Sequence, residues 1–165
     1  MRKNIILTLI ILFYFSTLSI FGQLKIAILP FSNLDGNFDF NKYCYEIQDS
    51  LTKAFAEIDP NSKHIIVIPV SAVDDALSNL NIDANSPSFD VDKWKVLEEL
   101  SCDRVISGTF RIAGNRFLIN SYIYYPDTRL SDQQFQAKDI FKKEEKILES
   151  VATIVKQLSK AFMQE

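Results

Sequence analysis

The stretch FRIAGNRFLINSYIYY, residues 110–125, decides the architecture. An apolar run reaches Ile112, a three-residue turn of Ala113, Gly114 and Asn115 follows, and strict alternation begins at Arg116. Strand side chains point to opposite faces with period two. Phe117, Ile119, Ser121, Ile123 and Tyr125 therefore share one face, and Arg116, Leu118, Asn120, Tyr122 and Tyr124 share the other. Two such runs joined by a short glycine turn predict an antiparallel hairpin. Asn120 among large residues predicts a partly wet face, as on a strand near a sheet border. Gly108 interrupts the first arm, DRVISGTFRI; glycine weakens a strand, so it marks a bulge or a close backbone approach.

Working outward, LKIAILPF (24–31) and HIIVIP (64–69) are short apolar runs that read as strands buried on both faces. Between them Phe40, Tyr43, Cys44, Ile47, Leu51, Ala54, Phe55 and Ile58 recur at three- and four-residue steps. That spacing predicts an amphipathic helix, capped by Asp39 and ended by Pro60. A strand–helix–strand unit of this kind implies parallel neighbours joined by a right-handed crossover. SAVDDALSNL predicts a short helix with Ser71 placed to cap it, and DKWKVLEEL another with Trp94, Leu97 and Leu100 on one stripe. Residues 81–92, NIDANSPSFDVD, read as loop. RLSDQQFQAKDI after the hairpin reads as an edge strand protected by charges and amides. A last helix carries Ile147, Leu148, Val151, Ile154, Val155, Leu158 and Phe162 on one stripe that must pack on the sheet. The expectation is an α/β fold: a mixed, about five-stranded sheet with packed helices, forming one domain over residues 23–165.

Residues 1–22 read as an export signal, with Arg2 and Lys3 in front, an apolar and hydroxyl run, and Gly22 before Gln23 at the cleavage position. The run is nearly long enough to span a bilayer, so a retained anchor is the alternative; no stop-transfer pattern follows it. The first cysteine is Cys44, so the acylated thiol of a bacterial lipoprotein is missing. The expectation is therefore a periplasmic or secreted protein, not a lipoprotein, with no stable membrane insertion after cleavage. Arg2 and Lys3 are the leader's only charges, so the remaining 143 residues hold 16 basic against 21 acidic side chains, a net −5. That balance argues against nucleic acid as a partner. In an oxidising compartment Cys44 and Cys102 are candidates for a disulfide; two small buried apolar residues is the other reading.

No residue pattern supports catalysis. His64 is the only histidine and has no ligand-spaced cysteine pair beside it; no G-x-S-x-G elbow or phosphate-cradling glycine loop occurs. Catalytic residues, cofactors and metals are all expected to be absent. Asp74–Asp75 and Glu98–Glu99 are adjacent on predicted helices and so do not share a face.

KIAILPFSNLDGN followed by a helix resembles the opening of the TolB amino-terminal domain family. LEELSCDRVISGTFRIAGNRFLINSYIYYPDTRL is similar to that domain's second half, and the likeness spans roughly residues 24–162. The resemblance implies a sheet of the anticodon-binding type and an envelope location. Relatives of that family include the curli-secretion pore CsgG, the flagellar protein FlgO and the peptidoglycan-synthase activator LpoB, which are binding, scaffolding or pore-forming parts. TolB carries a propeller after this domain and the other relatives a lipid-anchoring cysteine; neither is present here. The expectation is a non-enzymatic module that binds an envelope protein through a sheet edge or the loop rim. Tyr is enriched at interface hot spots, and a weakly protected strand near 129–137 invites a partner strand. Candidate contacts are accordingly Tyr122, Tyr124, Arg129, Gln133 and Phe135, or the amino-terminal Gln23, Leu24 and Lys25. The rival expectation is a small-ligand sensor, with a molecule lodged between loop 81–92 and helix 40–58.

Overall fold

The computed structural model describes residues 22–163; the segment read as an export signal lies, but for Gly22, outside them. The hairpin forms the trunk of the sheet. β4 (Arg104–Ala113) and β5 (Arg116–Tyr125) pair without interruption from Val105↔Tyr124 to Ala113↔Arg116. The turn is tighter than the sequence suggests. Only Gly114 and Asn115 lie between the strands, and Gly114 takes φ +67°, which a side chain resists at the first position of a two-residue hairpin turn.

Around the hairpin, β1 (Leu24–Ile28) lies parallel to β4 on one side and to β3 (Ile65–Val67) on the other. β6 (Leu130–Lys142) runs antiparallel to β5. The order is β3-β1-β4-β5-β6, and a sixth strand, β2 (Ser32–Asn33), pairs with the far end of β4. The sheet is mixed, as expected. β3 is its border rather than an interior strand, and Ile66 is 39% exposed there.

Alternation along β1 divides the core. Ile26 and Ile28 join Ile106, Phe110, Phe117, Ile119 and Ile123 beneath α1 (Lys42–Ile58) and α4 (Ser150–Leu158). Ala27, Leu29 and Val105 face the other way, onto α2 (Val70–Asn79) and α3 (Phe89–Leu100). Each fully buried Ile, Leu or Phe contributes about 1.5–3 kcal/mol, so both layers are needed to hold the sheet.

Several local expectations are corrected. Asp39 does not cap α1: Asn37 Oδ1 accepts from Asp39 N, opening a 3₁₀ turn over Phe38–Phe40, and α1 starts only at Lys42. Ser71 makes no cap, since α2 begins at Val70 behind Pro69. α3 starts at Phe89, inside the segment read as loop. The final helix is broken into a 3₁₀ stretch over Glu144–Glu149, then α4, then a 3₁₀ turn over Ser159–Ala161. Leu148 consequently leaves the buried stripe and is exposed. Gly108 makes a close approach and no bulge: a Cβ built there would lie 2.6 Å from Phe31 Cζ and 2.5 Å from the Asn120 carbonyl oxygen.

Candidate functional site

The residues singled out from sequence do not form one surface. Gln23, Leu24 and Lys25 open β1 and are taken up by the fold. The Gln23 amide donates to Ser62 O, and Leu24 packs against the core. Lys25 N donates to the Asp103 carboxylate (2.7 Å), and its ammonium donates to Leu100 O (2.9 Å) at the carboxyl end of α3, where a cation is favoured. Leu24 and Lys25 are thus engaged at the start of a strand flanked on both sides, while Gln23 stays exposed.

Tyr122, Tyr124 and Arg129 fall in one cluster, linked through Trp94, beside a lysine that the sequence reading missed. Lys93 is 6% exposed; its ammonium lies 2.7 Å from Asp90 Oδ1, 5.5 Å from the centre of the Trp94 ring and 5.1 Å from that of Tyr124. Tyr124 meets Trp94 edge-on and Tyr122 at a tilt. Arg129 lies 5.8 Å from the centre of the Trp94 ring and 3.5 Å from Glu98. Burial, with Asp90 and Tyr122 nearby, pushes the Tyr124 hydroxyl above its ordinary range. A buried ammonium needs a partner charge and benefits from aromatic faces, and here it has both. The cluster packs α3 against the sheet, with Arg129 and Glu98 exposed at its margin.

Gln133 and Phe135 sit on β6, whose outer side is the long border of the sheet. Over the segment expected to accept a partner strand, 129–137, this border is irregular. Residues 132–135 oppose Ile123 alone, in an enlarged bulge. Within it Asp132 Oδ1 accepts from Gln134 N (2.8 Å) and Phe135 N (3.0 Å), and Asp132 Oδ2 accepts from the Tyr125 hydroxyl (2.8 Å). Gln136 Nε2 donates to Asp132 O, and Gln133 Nε2 to Ser131 O. Partial burial alone would raise the Asp132 carboxyl. The donors Phe135 N, Tyr125 OH and Gln134 N, with Arg104 nearby, outweigh it and hold the group below its ordinary value of 3.8. A second irregularity follows at Asp139, φ +56°, whose N–H donates to Asn120 Oδ1. Bulges and self-satisfied amides are how edges are blunted. Phe135 turns inward against the core.

An open surface lies on the far side of Asp90 from Lys93. A cleft of about 450 Å³ separates the loop from Ser32 to Asn41 from the loop and helix start at Ala84–Asp90. Leu34 (56% exposed) and Phe38 (85% exposed) stand on one wall; Pro87 and Asp90 line the other, with Val91 (73% exposed) next in the chain. The space between loop 81–92 and α1, where the sensor reading placed a ligand, is a smaller hollow of about 250 Å³ bounded by Tyr45, Asp74, Leu77 and Ile82. That is below the roughly 300 Å³ at which small-molecule sites begin.

The cysteines do not pair. Cys44 is buried under α1 in one core layer and Cys102 packs against the other, both as free thiols. Burial pushes each thiol up to about 11, which keeps both protonated and unreactive at neutral pH.

No family model matches the chain, and no curated protein matches it. Solved structures do. The NMR structure of Escherichia coli LpoB aligns over 74% of this chain and 59% of its own length, with 10% identity and a TM-score of 0.52. The LpoB C-terminal domain from Salmonella enterica aligns over 72% and 83% (11% identity, TM-score 0.45), and lipoprotein GNA1162 from Neisseria meningitidis over 85% and 99% (12%, 0.48). At such identity what is shared is the fold, and the mixed sheet described above is an LpoB-like one.

Proposed function

We propose that this chain is an exported, non-enzymatic module of the cell envelope that binds another envelope protein, and that it does so through its loop rim rather than a sheet edge. The TolB-like sequence pattern and the LpoB-like fold support the envelope assignment. One observation carries the choice of surface. In the β6 bulge Asp132 takes up the amides of Gln134 and Phe135, whereas the rim leaves Phe38 and Leu34 bare on one wall of the cleft. Large apolar groups gathered on one exposed site mark interaction surfaces. The acyl anchor of a lipoprotein has no place at Cys44, whose thiol is buried.

The test is site-specific photo-crosslinking in cells, with the reactive side chain placed at Phe38 in one strain and at Gln133 in another. A single adduct of defined mass from position 38 and none from 133 is the expected result. An adduct from 133 alone would overturn the rim, and none from either would overturn the module.

The ligand-sensor reading retains one favourable observation, the cleft itself, whose volume falls inside the range of about 300–1,000 Å³ usual for small-molecule sites. Thermal-shift screening decides it: a ligand at about 100 times its dissociation constant adds about 2.7 kcal/mol to stability.

A further inference from the structure

The rim loop is tied to β4 and to itself by hydrogen bonds. Leu34 N donates to Phe110 O (3.0 Å), and the Asp35 carboxylate accepts from Ile112 N. Asn33 organises the interior: its Oδ1 accepts from Asp35 N (3.2 Å), and its Nδ2 donates to Asn37 O (2.8 Å) and Asn41 Oδ1 (2.9 Å). Asn37 O accepts from Phe40 N, Phe38 O accepts from Asn41 N, and Gly36 makes the bend at φ +65°. The opposite wall is fixed likewise by Asp83 Oδ1, which accepts from Asn85 N, and by the Phe89 N to Ser86 O bond. Phe38 is therefore exposed by an ordered backbone, which removes most of the entropic cost of using it as an anchor.

The charge on the walls is one-sided. Asp35 and Asp90 line the cleft together with asparagine and serine side chains, and no Lys, Arg or His does. Asp90 shares its charge with Lys93, which is buried behind it; Asp35 has no cationic partner among the described residues. The nearest basic residue in sequence, Lys42, lies over the Tyr43 ring at 4.9 Å.

From these observations we infer that the cleft is a docking groove for an extended peptide segment of a partner protein, one that alternates apolar and cationic side chains. An apolar side chain of the segment packs on Phe38 and Leu34, a Lys or Arg reaches Asp35, and the segment's amides meet the asparagine and serine groups of the walls. The inference rests on the rim reading above and adds the chemistry of the partner.

The test titrates the purified protein against three fluorescent nonapeptides, alternating Leu with Arg, Leu with Glu, and Ser with Arg. The Leu–Arg peptide alone should bind. Phe38→Ala should weaken it about tenfold or more, as loss of an aromatic anchor does. Asp35→Asn keeps an oxygen for Ile112 N; it should weaken binding about two- to fivefold and flatten its salt dependence. Equal binding of the Leu–Arg and Leu–Glu peptides, binding unaffected by Phe38→Ala, or no binding of any peptide would overturn the inference. If the crosslink at position 38 survives while the Leu–Arg peptide fails, the rim stands and only the partner chemistry falls. If both fail, the rim reading falls with it.

Discussion

The rim loop and the bulge of the β6 border are both irregular chain, yet they answer the same problem in opposite ways. In the border's bulge the liability is backbone, and a single carboxylate, Asp132, takes the amides of Gln134 and Phe135 and a tyrosine hydroxyl. At the rim the backbone is just as well satisfied, through Asn33 and Asn37, but what remains outside is hydrocarbon. A hydrogen-bonding deficit can be met by a side chain two residues away. An apolar deficit can be met only by another surface. Irregularity at an edge is thus compatible with closure, while an exposed phenylalanine on a rigid loop is not.

The strongest way to break this comparison is to unseat the rim from below. Phe31 leads into β2 and fills the space over Gly108. Gly108→Ala would drive a methyl group into the Phe31 ring and the Asn120 carbonyl; the carbonyl lies in a paired strand and cannot retreat. A loss of about 3 kcal/mol in urea unfolding is expected. Amide exchange should rise more over 32–41 than over 131–137. Adding Phe31→Leu should restore part of the loss; if it restores none, the carbonyl alone sets the cost.

That glycine also shows how far the sequence could be read. Alternation at 116–125 fixed the hairpin, and the apolar steps at 43–55 fixed α1, because each is a property of one contiguous segment. Gly108 could be narrowed to a bulge or a close approach; choosing between them required knowing that Phe31 lies across from it. β2 was illegible for a related reason, since Ser32 and Asn33 have no strand propensity and are held in the sheet by β4. The same applies to β3, whose apolar composition gives no sign that it is the border among the described strands. Of the site, Tyr122 and Tyr124 were visible as aromatics, but their partner Lys93 sits on another element. Phe38 was passed over because FDF precedes a helix and looks like its first turn. Asp132 was read as a protecting surface charge, when its protection is by hydrogen bonding.

Asp132 offers the next test, at the other pole of the comparison. Asp132→Ala frees the amides of Gln134 and Phe135 and the Tyr125 hydroxyl, and should cost about 1–2 kcal/mol. More telling is association: an opened border should dimerise or aggregate with rising concentration in sedimentation more readily than the native protein. Acid should mimic the substitution. The Asp132 carboxyl is lowered in the folded state, so its contribution is complete above the ordinary value of 3.8 and is lost as pH falls through the folded value. The native protein should therefore begin to associate below that range. Asp132→Asn should lose this pH dependence, and a profile unchanged by it would mean that other carboxylates govern the border.

The smallest expected effect is the sharpest. Phe38 and Phe40 sit two residues apart in one 3₁₀ turn, where a three-residue period sends them to different sides. Phe40 meets the Phe117 ring edge-on at 5.0 Å between centres, and Phe38 is bare. Phe40→Ala should cost about 1–2 kcal/mol, short of a fully buried phenylalanine because Phe40 is only half-covered. Phe38→Ala should change the urea midpoint by no more than about 0.5 kcal/mol. Its α-helical signal and amide protection should match the native protein. If Phe38→Ala instead destabilises as much as Phe40→Ala, then Phe38 is covered by its own chain in solution. The rim would then be as self-sufficient as the border, and the asymmetry between them would vanish.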